Sequence, residues 1–246
     1  MIKKIIILIV FCCVFLGNNA NAQTITLGYV DFPPYEFEDK NGKPQGILVE
    51  IVETVFKKAE IPLELKFFPF KRAYKSTEEG RIDGLFNFYK TEKRLKSFDY
   101  TEPVISNPLV FFIRKDSMFK FNKLEDLKGL KIGVIRGYTY GTNFDDNKLF
   151  DRDVVNSHFS NFKKLVHRRI DAYPCDELVG IHVAMKNNLM SELKILPKPL
   201  KVMDGYIGFT KGKHRNIINK INPVIIEMHQ SGEIEKIIDR YVENSL

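Results

Sequence analysis

Cysteine is scarce in this chain: Cys12, Cys13 and Cys175 are the only three among 246 residues. The first two fall in a segment read below as a removed leader, which leaves one thiol and excludes an internal disulfide framework. Catalytic signatures are missing as well, for there is no Gly-x-Ser-x-Gly, no Walker loop and no Gly-x-Gly-x-x-Gly. The five histidines, His158, His167, His182, His214 and His229, include no pair at the spacing of a zinc-binding helix, so neither a metal nor another cofactor is expected. Gly/Ser-rich tethers are absent, and beyond residue 16 no stretch is apolar enough to span a bilayer.

What is present matches an ordinary globular protein: 44% hydrophobic, 28% charged and 12% aromatic residues, which excludes disordered and collagen-like chains. The length allows one large domain or two of about 100 residues each, either able to bury a core without staples. The formal charge is +7, and losing Lys3 and Lys4 with the leader leaves +5. The 38 Lys and Arg are interspersed with 31 Asp and Glu, as on a solvated surface and unlike the stripe of a nucleic-acid binder.

Residues 1–22 combine a basic start, a 12-residue apolar run from Ile5 to Leu16 and the small-residue exit Ala20-Asn21-Ala22. That is the form of a cleavable secretory signal peptide, and the run is short of the roughly 20 residues of a membrane anchor. No small residue precedes Cys12 or Cys13, which argues against lipid attachment. A soluble, exported, periplasmic protein is expected from Gln23 onward.

The mature chain reads as strands at 25–30, 63–67 and 82–88 with helices at 46–60 and 71–79 between them. The apolar residues Ile47, Leu48, Ile51, Val52, Val55 and Phe56 recur at helical spacing, and Leu63, Leu65 and Phe67 alternate with Glu64 and Lys66. A second series follows: strands at 109–113, 130–135, 170–173 and 206–210, and helices at 161–169, 178–187, 217–229 and 232–242, with Pro223 near a helix start or at a kink. The βα alternation specifies an α/β protein with two mostly parallel sheets, that is, two lobes joined by strands, with a ligand cleft at the strands' carboxyl ends.

Several residues have chemistry suited to that cleft. Arg94 follows the strand ending at Phe88, where a guanidinium grips a carboxylate with two parallel hydrogen bonds; the alternative is a surface arginine pairing with Glu92 or Glu102. Asp176 lies six positions after Ile170, where a carboxylate receives an ammonium, or else caps the helix at 178–187. Gly137, Tyr138 and Thr139 follow a strand end in a turn whose N–H groups suit an anion. Phe32 and Tyr35 flank Pro33-Pro34 and offer a flat apolar wall or ordinary packing. Cys175, between Pro174 and Asp176, is a nucleophile candidate whose adjacent carboxylate raises the thiol pKa, and a buried structural role competes.

Pro33-Pro34-Tyr35-Glu36-Phe37, Gly42, Gly46-Ile47, Gly80-Arg81-Ile82-Asp83-Gly84, Thr91-Glu92-Lys93-Arg94 and Phe98-Asp99-Tyr100-Thr101-Glu102-Pro103 keep a recognisable order. Asp126-Leu127-Lys128-Gly129, Ile132-Gly133-Val134, Arg169-Ile170-Asp171-Ala172, Asp176 and Ser231-Gly232-Glu233-Ile234 extend it through nearly the whole mature chain. In this the sequence resembles the bacterial extracellular solute-binding proteins of family 3, which serve amino-acid ABC transporters. The resemblance implies a Venus-flytrap, type II periplasmic-binding-protein fold with lobe one at 23–111 and 207–246 and lobe two at 112–206. It implies Arg94 on a ligand α-carboxylate, helped by N–H groups at 137–139, Asp176 on the α-ammonium, and Phe32 over the side chain. One departure is visible: Phe86-Asn87-Phe88-Tyr89-Lys90 replaces the family's serines and threonines before Arg94, which brings Asn87 and Tyr89 into the site. Pro69-Phe70-Lys71-Arg72 adds Arg72, as a contact for a second anionic group or as a helix-surface residue.

The expected function is capture of a small polar, amino-acid-like solute by a monomer that closes its lobes and delivers to a membrane permease, with no covalent chemistry. Two alternatives stand beside it: a periplasmic enzyme on the same scaffold, of the cyclohexadienyl-dehydratase kind, and a ligand-sensing module for a membrane receptor.

Overall fold

The computed structural model describes residues 23–138 and 140–243. The leader read over residues 1–22, and with it the signal-peptide expectation, lies outside the described residues. Among those described, no helix is long and apolar enough to cross a membrane.

The first strand, β1 (Ile25–Tyr29), is buried along almost its whole length, as befits a central parallel strand covered on both faces. It pairs in parallel with β4 (Leu63–Phe67) and β5 (Gly84–Phe88). Short strands β2 (Phe37–Glu38) and β3 (Pro44–Gln45) form a hairpin leading into helix α1 (Ile47–Lys58). The apolar stripe of α1, Ile47, Leu48, Ile51, Val52, Val55 and Phe56, is wholly buried, each side chain contributing about 1.5–3 kcal/mol. Gly46 holds φ +125°, and a Cβ there would stand 2.4 Å from the Tyr35 carbonyl oxygen. That close approach lets Leu48 N–H donate to Tyr35 O at 2.8 Å, which locks the Pro33–Glu36 loop to the helix start. Helix α2 (Phe70–Glu78) links β4 to β5.

Two ten-residue strands carry the chain between lobes: β7 (Ile105–Arg114), after the short β6 (Phe98–Tyr100), and β12 (Lys201–Thr210). They pair with each other antiparallel only at 105–109 and 201–205. Beyond that point β12 joins β5 and β6 in one lobe. Beyond it in the other direction β7 joins β10 (Tyr173–Asp176) and β11 (Leu193–Ile195). The second lobe adds the parallel pair β8 (Lys131–Ile135) and β9 (Asp151–Val155), with α3 (Thr142–Asp145), α4 (His158–Val166) and α5 (Glu177–Lys186). The chain closes with α6 (Arg215–Gln230) and α7 (Glu233–Glu243), packed on α1 in the first lobe. The result is the two-lobed α/β architecture. Parallel pairing occupies β1, β4, β5, β8 and β9, and apart from the β2–β3 hairpin the antiparallel pairs all involve a crossing strand.

The structure shifts several expected elements. The strand expected at 170–173 runs at 173–176, and Pro174 sits within it. Proline is tolerated there because β10 is the edge strand of its sheet. The helix expected at 161–169 starts at His158, where the Ser157 hydroxyl accepts the Ser160 N–H at 3.2 Å. Both crossing strands begin earlier or run longer than expected because their polar halves, Ser106-Asn107-Pro108 and Asp204-Gly205, hide the strand pattern. Pro223 does not mark a helix start: it lies inside α6, which begins at Arg215.

Candidate functional site

The carboxyl ends of β1, β5, β8 and β10 converge on one cleft of about 660 Å³, lined by both lobes and by the crossing strands. Two other depressions, around Phe121 and Lys198, are lined by second-lobe and crossing-strand residues without any from the first lobe.

On the first lobe, β5 delivers Asn87, Tyr89 and, after a turn, Arg94. The Arg94 guanidinium lies 4.3 Å above the Phe88 ring and 5.7 Å from that of Phe70. Its Nη1 donates to the Tyr89 carbonyl at 2.8 Å. No carboxylate pairs with it among the described residues, so the surface pairing with Glu92 or Glu102 does not form. Burial pulls its pKa below the usual value, yet a guanidinium keeps its charge at any physiological pH. The Arg94 cation is thus half-buried, braced by ring faces and one carbonyl, with no carboxylate beside it among the described residues.

On the second lobe Asp176 ends β10 and caps α5. Its Oδ1 accepts the Val179 N–H at 3.1 Å and the Tyr35 hydroxyl at 2.8 Å. The second bond crosses from one lobe to the other. Asp176 thus caps the helix and also lines the cleft. Burial is the main reason its carboxyl is pushed up to about 6, against the lowering effect of its hydrogen-bond donors. No cation is paired with it among the described residues.

The other sequence-derived candidates separate. Phe32, Asn87, Tyr89 and Tyr138 line the cleft. Tyr35 is fully buried and stacks on Phe32 at 5.6 Å, so it acts from behind the wall through its hydroxyl. Arg72 does not reach the cleft: it is exposed on α2 with its guanidinium 5.6 Å from the Phe68 ring. Gly137 lies in an exposed left-handed turn at φ +79°, outside the cleft lining. Thr139 lies outside the described residues. Lys90 turns to the crossing strand, with its ammonium 3.7 Å from the Tyr206 ring.

Several lining groups escaped the sequence reading of the site, four of them polar and paired. Glu36, 1% exposed, reaches the cleft floor from the loop after β1; its place in the Pro-Pro-Tyr-Glu-Phe motif was the available signal. Asn107, on β7, lay in a half-strand that no periodicity marked. His158 and Tyr173 meet in the second lobe, Nδ1 to hydroxyl 2.6 Å, with Cys175 Sγ 3.4 Å from the same nitrogen. The Cys175 thiol is buried, and burial with the adjacent Asp176 holds its pKa well above the usual range; a neutral thiol is a weak nucleophile. Among the described residues no group of three or more His, Cys, Asp and Glu is placed to hold a metal ion.

Comparison with known proteins agrees with this fold. The chain is 24% identical over 218 residues to the probable amino-acid-binding protein YxeM of Bacillus subtilis, covering 87% of this chain and 81% of the relative. It is 24% identical over 243 residues to an arginine-binding periplasmic protein of Mannheimia haemolytica, covering 98% of each. In fold it is similar to the L-cystine solute receptor of Neisseria gonorrhoeae in its unliganded open conformation, with TM-score 0.74, 22% identity and 91% and 94% of the two chains covered. The model of the bacterial extracellular solute-binding proteins, family 3, matches residues 25–244, and the chain belongs to that family.

Proposed function

We propose that this solute-binding protein holds an α-amino acid as a zwitterion between Arg94 on one lobe and Asp176 on the other, and hands it to an ABC transporter permease. The observation that carries the reading is the pairing of opposite charges across the cleft: a guanidinium and a carboxyl, each without a counter-ion and each supplied by a different lobe. Arg94 takes the α-carboxylate in a two-pronged grip, and Asp176 takes the α-ammonium. Phe32, Tyr89 and Tyr138 supply the apolar walls, Asn87 a polar contact, and Tyr35 positions Asp176. Closure of the lobes removes water from both ion pairs and strengthens them.

Finer elements belong to the same proposal. The lobes divide at 111/112 and 206/207, inside the two crossing strands. The leader is cleaved and the mature monomer works in the periplasm, without cofactor and without covalent chemistry. The names of the amino-acid-binding and arginine-binding relatives support this reading, as does the neutral state of the buried Cys175.

Isothermal calorimetry of the mature protein with the common L-amino acids at pH 7.5, paired with small-angle scattering, tests the proposal. Saturable one-to-one heat with at least one amino acid, together with a smaller radius of gyration, is the expected result. Silence with every one of them rejects it.

A further inference from the structure

The positive charge of the mature chain is not shared between the lobes. Residues 112–206 carry 17 Lys and Arg against 12 Asp and Glu, whereas residues 23–111 and 207–246 carry 19 of each. The whole excess therefore belongs to the second lobe. Part of it gathers around the two depressions near Phe121 and Lys198, of about 490 and 390 Å³, which adjoin along Phe121, Asn122 and Lys198. Lys120, Lys123, Lys194, Lys198 and Lys201 line them, and no aspartate or glutamate does so among the described residues. None of the five lysines forms an ion pair among the described residues. Asp126 feels Lys123 and Lys198, but its Oδ2 is taken by the backbone N–H groups of Asn122 at 2.7 Å and Lys123 at 3.0 Å. Lys194 Nζ donates to the Ser117 carbonyl at 2.7 Å and Lys198 Nζ to the Asn122 carbonyl. Those bonds tie the segment at 117–122 to the one at 194–198 and neutralise no charge.

Between the lysines the surface is apolar. Met118 stands 86% exposed at the rim, beside the half-buried Phe119, and the floors are built from Phe121, Phe144, Leu196 and Leu200. We propose that this face of the second lobe is a membrane-contact surface that rests on anionic phospholipid headgroups, with the five lysines among the phosphates and Met118 at the acyl boundary. Ammonium groups on long stems stay with the headgroups while an apolar side chain passes below them. An acidic protein surface would satisfy the lysines but leave Met118 in water; a bilayer interface satisfies both. Neither Arg94 nor Asp176 lines either depression, so the contact does not compete for the amino-acid site. A contact of this size is reversible, far weaker than a spanning helix. It holds the carrier in the plane where a membrane permease lies.

The test is co-sedimentation of the mature protein with vesicles of phosphatidylcholine alone and of phosphatidylcholine mixed with phosphatidylglycerol in about equal parts, at about 50 mM and about 300 mM NaCl. Partitioning onto the anionic vesicles at low salt is expected to be about tenfold or more stronger, with most of the difference lost at high salt. The triple variant Lys120→Glu, Lys123→Glu, Lys198→Glu should lose about tenfold or more. The matched variant Lys57→Glu, Lys220→Glu, Lys236→Glu, which makes the same charge change on exposed helix positions of the first lobe, should stay within about threefold of the wild type. Met118→Ser should weaken binding about threefold or more. Equal partitioning of the wild type onto the two vesicle types overturns the inference, and that comparison needs no variant to fold. Equal losses in the two triple variants also overturn it, because overall charge then accounts for the attraction. So does undiminished binding by Met118→Ser. Capture of poly-L-glutamate without binding to the anionic vesicles assigns the face to an acidic protein and overturns it as well.

Discussion

The two charged poles of the cleft are built in opposite ways. Arg94 sits in a short turn after β5 and leans on the Phe88 and Phe70 rings with a single carbonyl contact. Its charge is permanent and its environment mostly apolar. Asp176 is fixed by a strand end, a helix N-terminus and a hydroxyl from the other lobe, and its charge is conditional because burial brings its carboxyl to about 6. The cation is set by stacking and the anion by hydrogen bonding, so the two should fail differently when altered.

The largest effect is expected at the permanent pole. Arg94→Ala should weaken amino-acid binding by about 100-fold or more, or roughly 2.7 kcal/mol, with unfolding unchanged because the turn is half-exposed. Arg94→Lys should recover only part of it, since an ammonium lacks the fork. Calorimetry beside a thermal melt separates loss of affinity from loss of fold. At the conditional pole, affinity should fall about tenfold between pH 7.5 and pH 5 as the carboxyl near 6 protonates. In Asp176→Asn that dependence should flatten, because the amide still caps α5 but does not titrate; a slope unchanged in the variant would assign the titration elsewhere.

Tyr35→Phe removes one hydroxyl from Asp176 and keeps the ring buried. A three- to tenfold loss of affinity is expected, about 1 kcal/mol, without a change in melting temperature beyond a few degrees. A stability contrast between the lobes comes from Gly180→Ala. A Cβ there would stand 2.3 Å from the Phe112 ring, so α5 must lift from β7 at a cost of about 1–3 kcal/mol, read by chemical denaturation. Smallest is the pH dependence of the empty protein. The Asp176 carboxyl is higher in the folded state than its unfolded value near 3.9, so the native form binds the extra proton. Its contribution to stability is present at low pH and lost as pH rises through about 6. Asp176→Asn should remove that component of the melting-temperature profile between pH 5 and 7.5.

Legibility in the sequence followed burial. The strands 25–29 and 63–67 and helix 47–58 stood out because one face or both are apolar at a fixed period. The crossing strands were half hidden: residues 105–108 and 201–205 run along the junction between lobes, where Ser106, Asn107, Pro108 and Asp204 replace the apolar alternation. The same junction supplies Asn107, which is why that residue escaped notice. Arg94 and Asp176 were reachable because each follows a strand end within a motif. Arg72 misled because sequence proximity to Phe70 says nothing about helix face: Phe70 turns to the cleft and Arg72 to Phe68. Tyr35 was placed on the wall, whereas Gly46 draws its backbone inward and leaves only its hydroxyl for Asp176.

A crystal structure of the mature protein grown with the tightest-binding amino acid at pH 7.5 tests the central claim most directly. The expected density places the α-carboxylate about 3 Å from the Arg94 guanidinium and the α-ammonium equally near a carboxylate oxygen of Asp176, with one ligand touching both lobes. A ligand bound elsewhere, or one whose two charged groups contact neither residue, would contradict it.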